Sequence, residues 1–142
     1  MKLVILKSTF LISICLFSLL SCSNTEEMAQ YDINGTITDA ATLSPLKNIR
    51  VIRSGTDYLL FNDTIYTDSL GKYGFNQTDF YSKNKSFTMK AEDIDGTKNH
   101  GYFASKTVNV TFKSSDWTFT TINNKLQGAA ATIQDFQLLL SN

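Results

Sequence analysis

The fold is decided by the stretch Tyr31-Asp32-Ile33-Asn34-Gly35-Thr36-Ile37-Thr38-Asp39, in which apolar and polar residues alternate. Tyr31, Ile33 and Ile37 fall on one face of this stretch, and Gly35 lies between them. Alternation with a period of two residues is typical of a β-strand that buries one face. Gly35 is expected to let a neighbouring strand approach closely, because it has no side chain.

Further segments repeat this pattern and predict an all-β protein. The other predicted strands are 49–53, 63–68, 73–75, 86–91, 107–113 and 132–140. The segment 69–72 is expected to join the strands 63–68 and 73–75 as a hairpin. Residues 123–131 are expected to hold at most a short helix. Seven strands with one apolar face each predict a two-sheet β-sandwich.

Composition and charge exclude several classes of function. The chain has 142 residues, with 13 Lys and Arg against 13 Asp and Glu, one His and two Cys. A net charge of zero gives no basic footprint, so we expect no nucleic-acid partner. One His and two Cys also exclude sites that need two imidazoles or four thiolates.

The first residues resemble a bacterial lipoprotein signal peptide. Lys2 and Lys7 precede an uncharged apolar run at 10–20, which is too short to span a bilayer as a helix. The run ends in Leu19-Leu20-Ser21-Cys22, which resembles the lipobox whose Cys is acylated and becomes the mature N-terminus. The alternative is an ordinary secretory signal with an incidental Cys.

The lipobox resemblance sets the expected domain organisation and location. Residues 1–21 form the signal peptide, 22–30 the lipidated N-terminus and its tether, and 31–142 the sandwich domain. We expect lipid anchoring through Cys22 in the bacterial outer membrane, facing the periplasm or the cell exterior. Glu26 and Glu27 resemble a surface-export signal and are equally consistent with a solvated linker.

Several motifs resemble a known sandwich module. Residues 35–39, 44–51 and 67–75 look like parts of a carboxypeptidase-regulatory-like module, and the resemblance covers about residues 31–76. The resemblance implies a transthyretin-like sandwich. In this module Asp68 and Gly71 are expected to form the turn that returns Tyr73 and Phe75 to the core.

A second resemblance covers nearly the whole mature chain. The segments 63–68 and 93–103 are similar to the radical S-adenosylmethionine-associated lipoproteins, small lipoproteins without an established activity. Membership implies a companion or client of such an enzyme. The chain departs from the family at His100, where Gly is frequent, and at Met28-Ala29-Gln30, where a Cys-Pro is expected.

Asp93, Asp95 and Asn99 place oxygen ligands around Gly96, in a pattern that resembles part of a calcium loop. A full EF-hand loop fails, because Ala104 stands where a Glu would be required. The alternative is an Asp-Gly turn capped by its own side chains. We therefore expect no cofactor, with calcium at this loop as the alternative.

Other candidate sites compete with simpler interpretations. His100 could act as a general base with Ser105 as nucleophile, but no Gly-x-Ser-x-Gly motif is present, so we assign no catalytic residue and expect a non-enzymatic protein. Thr64 and Ser69 fit a short O-glycosylation pattern. A set of aromatic residues could form a sugar-stacking platform or belong to the core. They are Tyr102, Phe103, Trp117 and Phe119.

From the sequence we therefore expect a lipid-anchored envelope protein that acts as a binding or interaction module. Its partner would be a radical S-adenosylmethionine enzyme or an envelope complex. The alternative is a calcium- or glycan-binding surface lipoprotein.

Overall fold

A computed structural model describes residues 27–55, 62–123 and 125–141. The signal peptide, Cys22 and Glu26 lie outside these residues. The described residues form nine strands and two short 3-10 helices, Gly96–Asn99 and Ser114–Asp116. The strands are β1 (Met28–Asp39), β2 (Ile49–Gly55), β3 (Asn62–Tyr66), β4 (Lys72–Phe80), β5 (Lys85–Asp93), β6 (Lys106–Phe112), β7 (Thr118–Ile122), β8 (Lys125–Ile133) and β9 (Phe136–Leu138).

The strands form two sheets that pack face to face. One sheet has the order β4-β1-β8-β7, and β9 also pairs with β1. The other sheet has the order β3-β2-β5-β6. The prediction of an all-β sandwich is confirmed, with nine strands in place of seven. Neither helix in the described ranges is long and apolar enough to cross a membrane.

The core follows the alternation of the sequence. Tyr31, Ile33 and Ile37 of β1 are fully buried, as are Phe87 and Met89 of β5. Aromatic side chains fill the space between the sheets. Among them, the Tyr31 ring packs edge-on against three other rings. The centroid of the Tyr31 ring lies 5.7 Å from that of Phe87, 5.5 Å from that of Phe112 and 4.8 Å from that of Trp117. Such edge-to-face pairs stabilise a core beyond the area that they bury.

β1 changes its neighbour at Gly35. Residues Met28–Asn34 pair in parallel with β8, whereas Ile37–Asp39 pair in parallel with β9. The two strands are joined by Gln134 and Asp135, which interrupt the regular ladder but stay hydrogen-bonded to Asn34 and Thr36 of β1. A methyl group at Gly35 would overlap the carbonyl oxygen of Gln134 and lie 2.8 Å from the Tyr73 ring. Gly35 therefore allows the close approach that the sequence predicts.

The segment around residue 70 forms a turn but no hairpin. Gly71 has φ +71°, and its N–H donates to the carbonyl of Asp68 at 3.0 Å. The strands on either side belong to different sheets, because β3 pairs with β2 and β4 pairs with β1. The hairpin prediction is therefore wrong, although Tyr73 and Phe75 are buried in the core as expected.

The strand β8 occupies most of 123–131, where the sequence allowed at most a short helix. Gly128 and Ala130 of β8 are buried and β7 pairs with this strand. A methyl group at Gly128 would lie 3.0 Å from the Phe119 ring and 3.3 Å from the Trp117 ring. The small residues of β8 thus leave room for aromatic side chains, and this packing outweighs the helix preference of alanine. Three residues assigned to the tether, Met28, Ala29 and Gln30, also belong to β1.

The replacement Gly35→Ala tests the close approach of β1 to the junction of β8 and β9. We expect a loss of about 3 kcal/mol in the free energy of unfolding, since the clash is with a backbone carbonyl. Gly74→Ala is the matched control, because its methyl group would meet only the end of the exposed Asn34 side chain. Equal losses in urea unfolding of the two variants would contradict this explanation.

Candidate functional site

A cleft of about 750 Å³ lies beside the point where β1 changes its neighbour. It is lined by residues of β1, β3, β4, the end of β8 and the β8–β9 junction, and we call it the Tyr66 cleft. Its lining residues include Asn34, Ile65, Tyr66, Asp68, Lys72, Tyr73, Ile133 and Asp135. The cleft lies far from Met28, which pairs with Phe80 at the opposite end of the same strands.

Two carboxylates of the Tyr66 cleft are fixed by backbone hydrogen bonds. Asp135 accepts the N–H of Thr36 at 2.7 Å. Asp68 accepts the N–H groups of Lys72 and Leu70 through one oxygen, both at 2.8 Å. These two bonds, with that of Lys72 the stronger cause, hold the pKa of Asp68 below its usual range. Asp68 is therefore an ionised acceptor in a fixed position at neutral pH.

The hydroxyl of Tyr73 closes the inner part of the cleft. It donates a short hydrogen bond to the carbonyl of Gln134. Burial, followed by the negative charge of Asp135, raises the pKa of Tyr73 well above its ordinary value. The phenol is therefore neutral at physiological pH and acts as a donor that holds the β8–β9 junction in place.

The outer part of the cleft is apolar and accessible. Tyr66 is 47% exposed and Ile133 is 76% exposed. An accessible aromatic side chain beside fixed polar groups suits a ligand with both apolar faces and hydroxyl groups. Asn34 and Lys72, which are exposed, add an amide and an ammonium to the lining.

The structure brings Asp93, Asp95 and Asn99 together at a different place. Asp93 accepts the N–H of Phe103 at 3.1 Å and that of Asp95 at 3.3 Å. Asp95 accepts the side-chain amides of Asn48 at 3.1 Å and Asn99 at 3.3 Å. Each carboxylate oxygen thus already accepts one hydrogen bond, and the bonds tie the loop to itself and to Asn48.

The described residues contain no group of three or more His, Cys, Asp or Glu arranged to hold a metal. Calcium at Asp93, Asp95 and Asn99 stays a prediction. Burial raises the pKa of Asp93, and the nearby carboxylate of Asp95 adds to this effect. The backbone N–H groups of Phe103 and Asp95 partly oppose it.

His100 and Ser105 are both exposed. The carboxylates of Asp93 and Asp95, which precede His100 in the chain, accept the hydrogen bonds described above. His100 has φ +69°, and its N–H donates to the carbonyl of Thr97, so it ends the short helix before it. Thr64 and Ser69 are also exposed, as a glycosylation acceptor requires. Their glycosylation stays a prediction, and the lipidation of Cys22 lies outside the described residues.

The four aromatic residues considered as a sugar platform lie in different environments. Phe103 and Trp117 are buried in the core, at 7% and 8% exposure, so their faces are not available to a ligand. Tyr102 is exposed beside Gly96, and Phe119 is partly exposed beside Tyr81. The exposure of Tyr66 could have been predicted from the sequence. Tyr66 follows Ile65, which faces the core, in a β-prone segment, so alternation places Tyr66 on the exposed face.

Comparisons with known proteins concern the fold alone. No family model and no curated protein matches this sequence. The fold is similar to catechol 1,2-dioxygenase from Acinetobacter sp. ADP1, with a TM-score of 0.54, 14% identity, and 87% of this chain and 55% of that chain covered. It is also similar to 3-chlorocatechol 1,2-dioxygenase from Rhodococcus opacus 1CP, with a TM-score of 0.48, 11% identity, and coverage of 79% and 60%.

The C-terminal domain of a shaft pilin from Lactobacillus rhamnosus GG is another neighbour. Its TM-score is 0.44 at 14% identity, with 79% of this chain and 98% of that domain covered. The present chain spans less than two thirds of the two dioxygenases.

The similarity to the Acinetobacter catechol 1,2-dioxygenase corrects the prediction of a non-enzymatic protein. The fold formed by this sequence is one that a catechol dioxygenase uses. A sandwich without a serine-nucleophile motif is therefore no argument against catalysis, because unrelated functions share one fold. At 11% to 14% identity the likeness gives no residue of this chain a catalytic role.

The raised pKa of Asp93 predicts a defined pH dependence. The protonated carboxyl of Asp93 stabilises the folded state relative to the ionised form. This stabilisation is complete below pH 3.8 and is lost as the pH rises through the higher pKa of the folded state. The variant Asp93→Asn should therefore gain free energy of unfolding relative to the parent as the pH rises above 3.8. Urea unfolding at a series of pH values measures this difference.

Asp39→Asn is the matched control. Hydrogen bonds from the N–H of Ala41 and the hydroxyl of Thr42 lower the pKa of Asp39. This variant should lose relative stability as the pH rises towards 3.8, which is the opposite sign. If the free energy of unfolding relative to the parent changed with pH in the same direction for both variants, the opposite pKa shifts assigned to Asp93 and Asp39 would be contradicted.

Proposed function

We propose that this protein is a lipid-anchored binding protein of the bacterial envelope and that the Tyr66 cleft binds a glycan. The observation that carries the proposal is the joint presence of accessible Tyr66 and Ile133 with the fixed carboxylates of Asp68 and Asp135. Sugar rings present apolar faces to aromatic side chains and hydroxyl groups to carboxylates and amides. Both kinds of contact are available in this cleft.

The proposed anchor is supported by the sequence. The lipobox-like Leu19-Leu20-Ser21-Cys22 follows an apolar run with two preceding lysines. Only a few residues separate Cys22 from Met28, the first residue of β1. The Tyr66 cleft lies at the other end of β1, so a ligand in solution would reach it without obstruction from the membrane.

The finer family assignment is also a proposal. We propose that the sandwich is transthyretin-like and that the protein accompanies a radical S-adenosylmethionine enzyme, as the motifs in 35–75 and 93–103 suggest. Mass spectrometry of the native protein tests the role of client. An added mass on one peptide of the mature chain would support it, and an unmodified chain in the presence of the active enzyme would contradict it.

Calcium binding at Asp93, Asp95 and Asn99 is proposed as a stabilising function of that loop. A ligand that binds only the folded state adds about 2.7 kcal/mol at 100 times its dissociation constant. Thermal unfolding with calcium and then with chelator should show a shift that Asp95→Asn removes. The absence of a shift in the parent protein would leave the loop as a turn held by its own hydrogen bonds.

The glycan proposal predicts a specific loss on removal of Tyr66. A glycan array with the full mature protein first identifies a bound oligosaccharide, and isothermal titration then gives its affinity. Tyr66→Ala should weaken binding about tenfold, which corresponds to ~1.4 kcal/mol. Because Tyr66 is exposed, its removal should change the free energy of unfolding by no more than about 0.5 kcal/mol.

Tyr102→Ala is the matched control, since Tyr102 is an exposed tyrosine outside the cleft. It should leave the affinity unchanged. A weaker affinity in Tyr102→Ala and an unchanged affinity in Tyr66→Ala would place the site elsewhere. No bound glycan on the array would overturn the proposal.

A further inference from the structure

The end of the five-stranded sheet opposite the Tyr66 cleft exposes apolar side chains. Four strands end or begin there, and each contributes one large hydrophobic residue. These residues are Met28, Phe80, Ile122 and Leu126, with 37%, 54%, 49% and 39% exposure, and we call them the apolar end.

The strand register places these four residues at one edge. Met28 of β1 pairs with Phe80 of β4 and with Gln127 of β8, which follows Leu126. Ile122 closes the adjacent strand β7 and pairs with Lys125. Met28 and Ile122 also line a shallow groove of about 490 Å³ on the outer face of the sheet. Met28, Phe80 and Ile122 therefore share the outer face at this end of the sheet, with Gln127 and Lys125 between Met28 and Ile122, and Leu126 lies at the same end on the other face.

The apolar end lies where the tether enters the domain. Six peptide units join Cys22 to Met28, so the α-carbon of Met28 lies within about 20 Å of that of Cys22 at full extension. An acylated Cys22 is held at the membrane surface, and the apolar end is the part of the domain that this short tether keeps nearest to it. Exposed Lys83 and Lys125 accompany the apolar residues, together with half-buried Glu27.

We infer that the apolar end docks onto the interfacial region of the bilayer to which the chain's own lipid holds it. This inference rests on the proposed acylation of Cys22. Shallow insertion would bury the four apolar side chains, while the two lysines meet the phosphate groups of the lipids. The domain would then stand on the membrane with β1 pointing outward, and the Tyr66 cleft would lie about 20 to 25 Å farther out along β1.

The test uses the full acylated protein on vesicles of phosphatidylcholine and phosphatidylglycerol. Cys15 would leave with the signal peptide and Cys22 would carry lipid, so an introduced Cys provides a single labelling position. Phe80→Cys and Ile122→Cys report on the apolar end. Leu43→Cys and Leu70→Cys are the matched controls, because both leucines are exposed and lie at the opposite end of the sandwich.

Each variant carries an environment-sensitive dye, which is quenched either by iodide in the water or by brominated acyl chains in the bilayer. We expect the dyes at residues 80 and 122 to be quenched by the brominated lipids and protected several-fold from iodide. The dyes at residues 43 and 70 should show the reverse. Equal access of iodide to all four positions, on vesicles that carry the acylated protein, would overturn the docking.

Failure of the anchor gives a different result. A mature protein without lipid on Cys22, shown by its intact mass, would overturn the anchor and with it the inference. A protein that carries the lipid and sediments with the vesicles but leaves residues 80 and 122 open to iodide retains the anchor and loses only the docking. A dye on Leu126→Cys tests the apolar end in a second way. In the double variant Phe80→Ser with Ile122→Ser, the protein should still sediment with the vesicles, but the dye at residue 126 should become fully accessible to iodide.

Discussion

The close contact between Gly35 and the carbonyl of Gln134 is the constraint on which the sandwich depends. β1 is the central strand of its sheet, and it pairs with β8 on one side of this contact and with β9 on the other. The chain can make this change only if Gln134 and Asp135 pass close above the backbone of β1. A side chain at residue 35 would occupy that space.

The same constraint shapes the Tyr66 cleft. The bend at Gln134 presents its carbonyl to the hydroxyl of Tyr73 and places Asp135 against the N–H of Thr36. The polar lining of the cleft is thus held by backbone contacts that belong to the fold itself. A site assembled in this way keeps its acceptors in place before any ligand arrives, which reduces the entropy lost on binding.

The sequence predicted what depends on local alternation. The buried faces of β1, β5 and β6 follow directly from it, and the turn at Asp68 follows from the local turn chemistry of Asp68 and Gly71. Other features depend on distant partners. The small residues of β8 gave no strand signal, because the close packing of Gly128 against Trp117 and Phe119 involves residues outside its own segment.

Long-range contacts explain the remaining differences in the same way. The turn at Asp68 looked like a hairpin because its local chemistry is that of one, yet the strands that it joins find better partners in opposite sheets. The Tyr66 cleft could not be predicted from the sequence, because its lining residues Asn34, Tyr66 and Asp135 are far apart along the chain. The burial of Arg53 also depends on residues outside its own strand. Its guanidinium contacts Asp63, Gln77 and the rings of Phe75 and Phe87.

The pairing of the first described strand with the last two has a consequence for synthesis. The hydrogen bond from Thr36 to Asp135 joins residues 99 positions apart. Closing so long a loop is slow and costly in entropy, and β1 cannot pair with β8 and β9 until those strands have left the ribosome. The sheet that contains β1 therefore stays incomplete in the nascent polypeptide until β8 and β9 have been made.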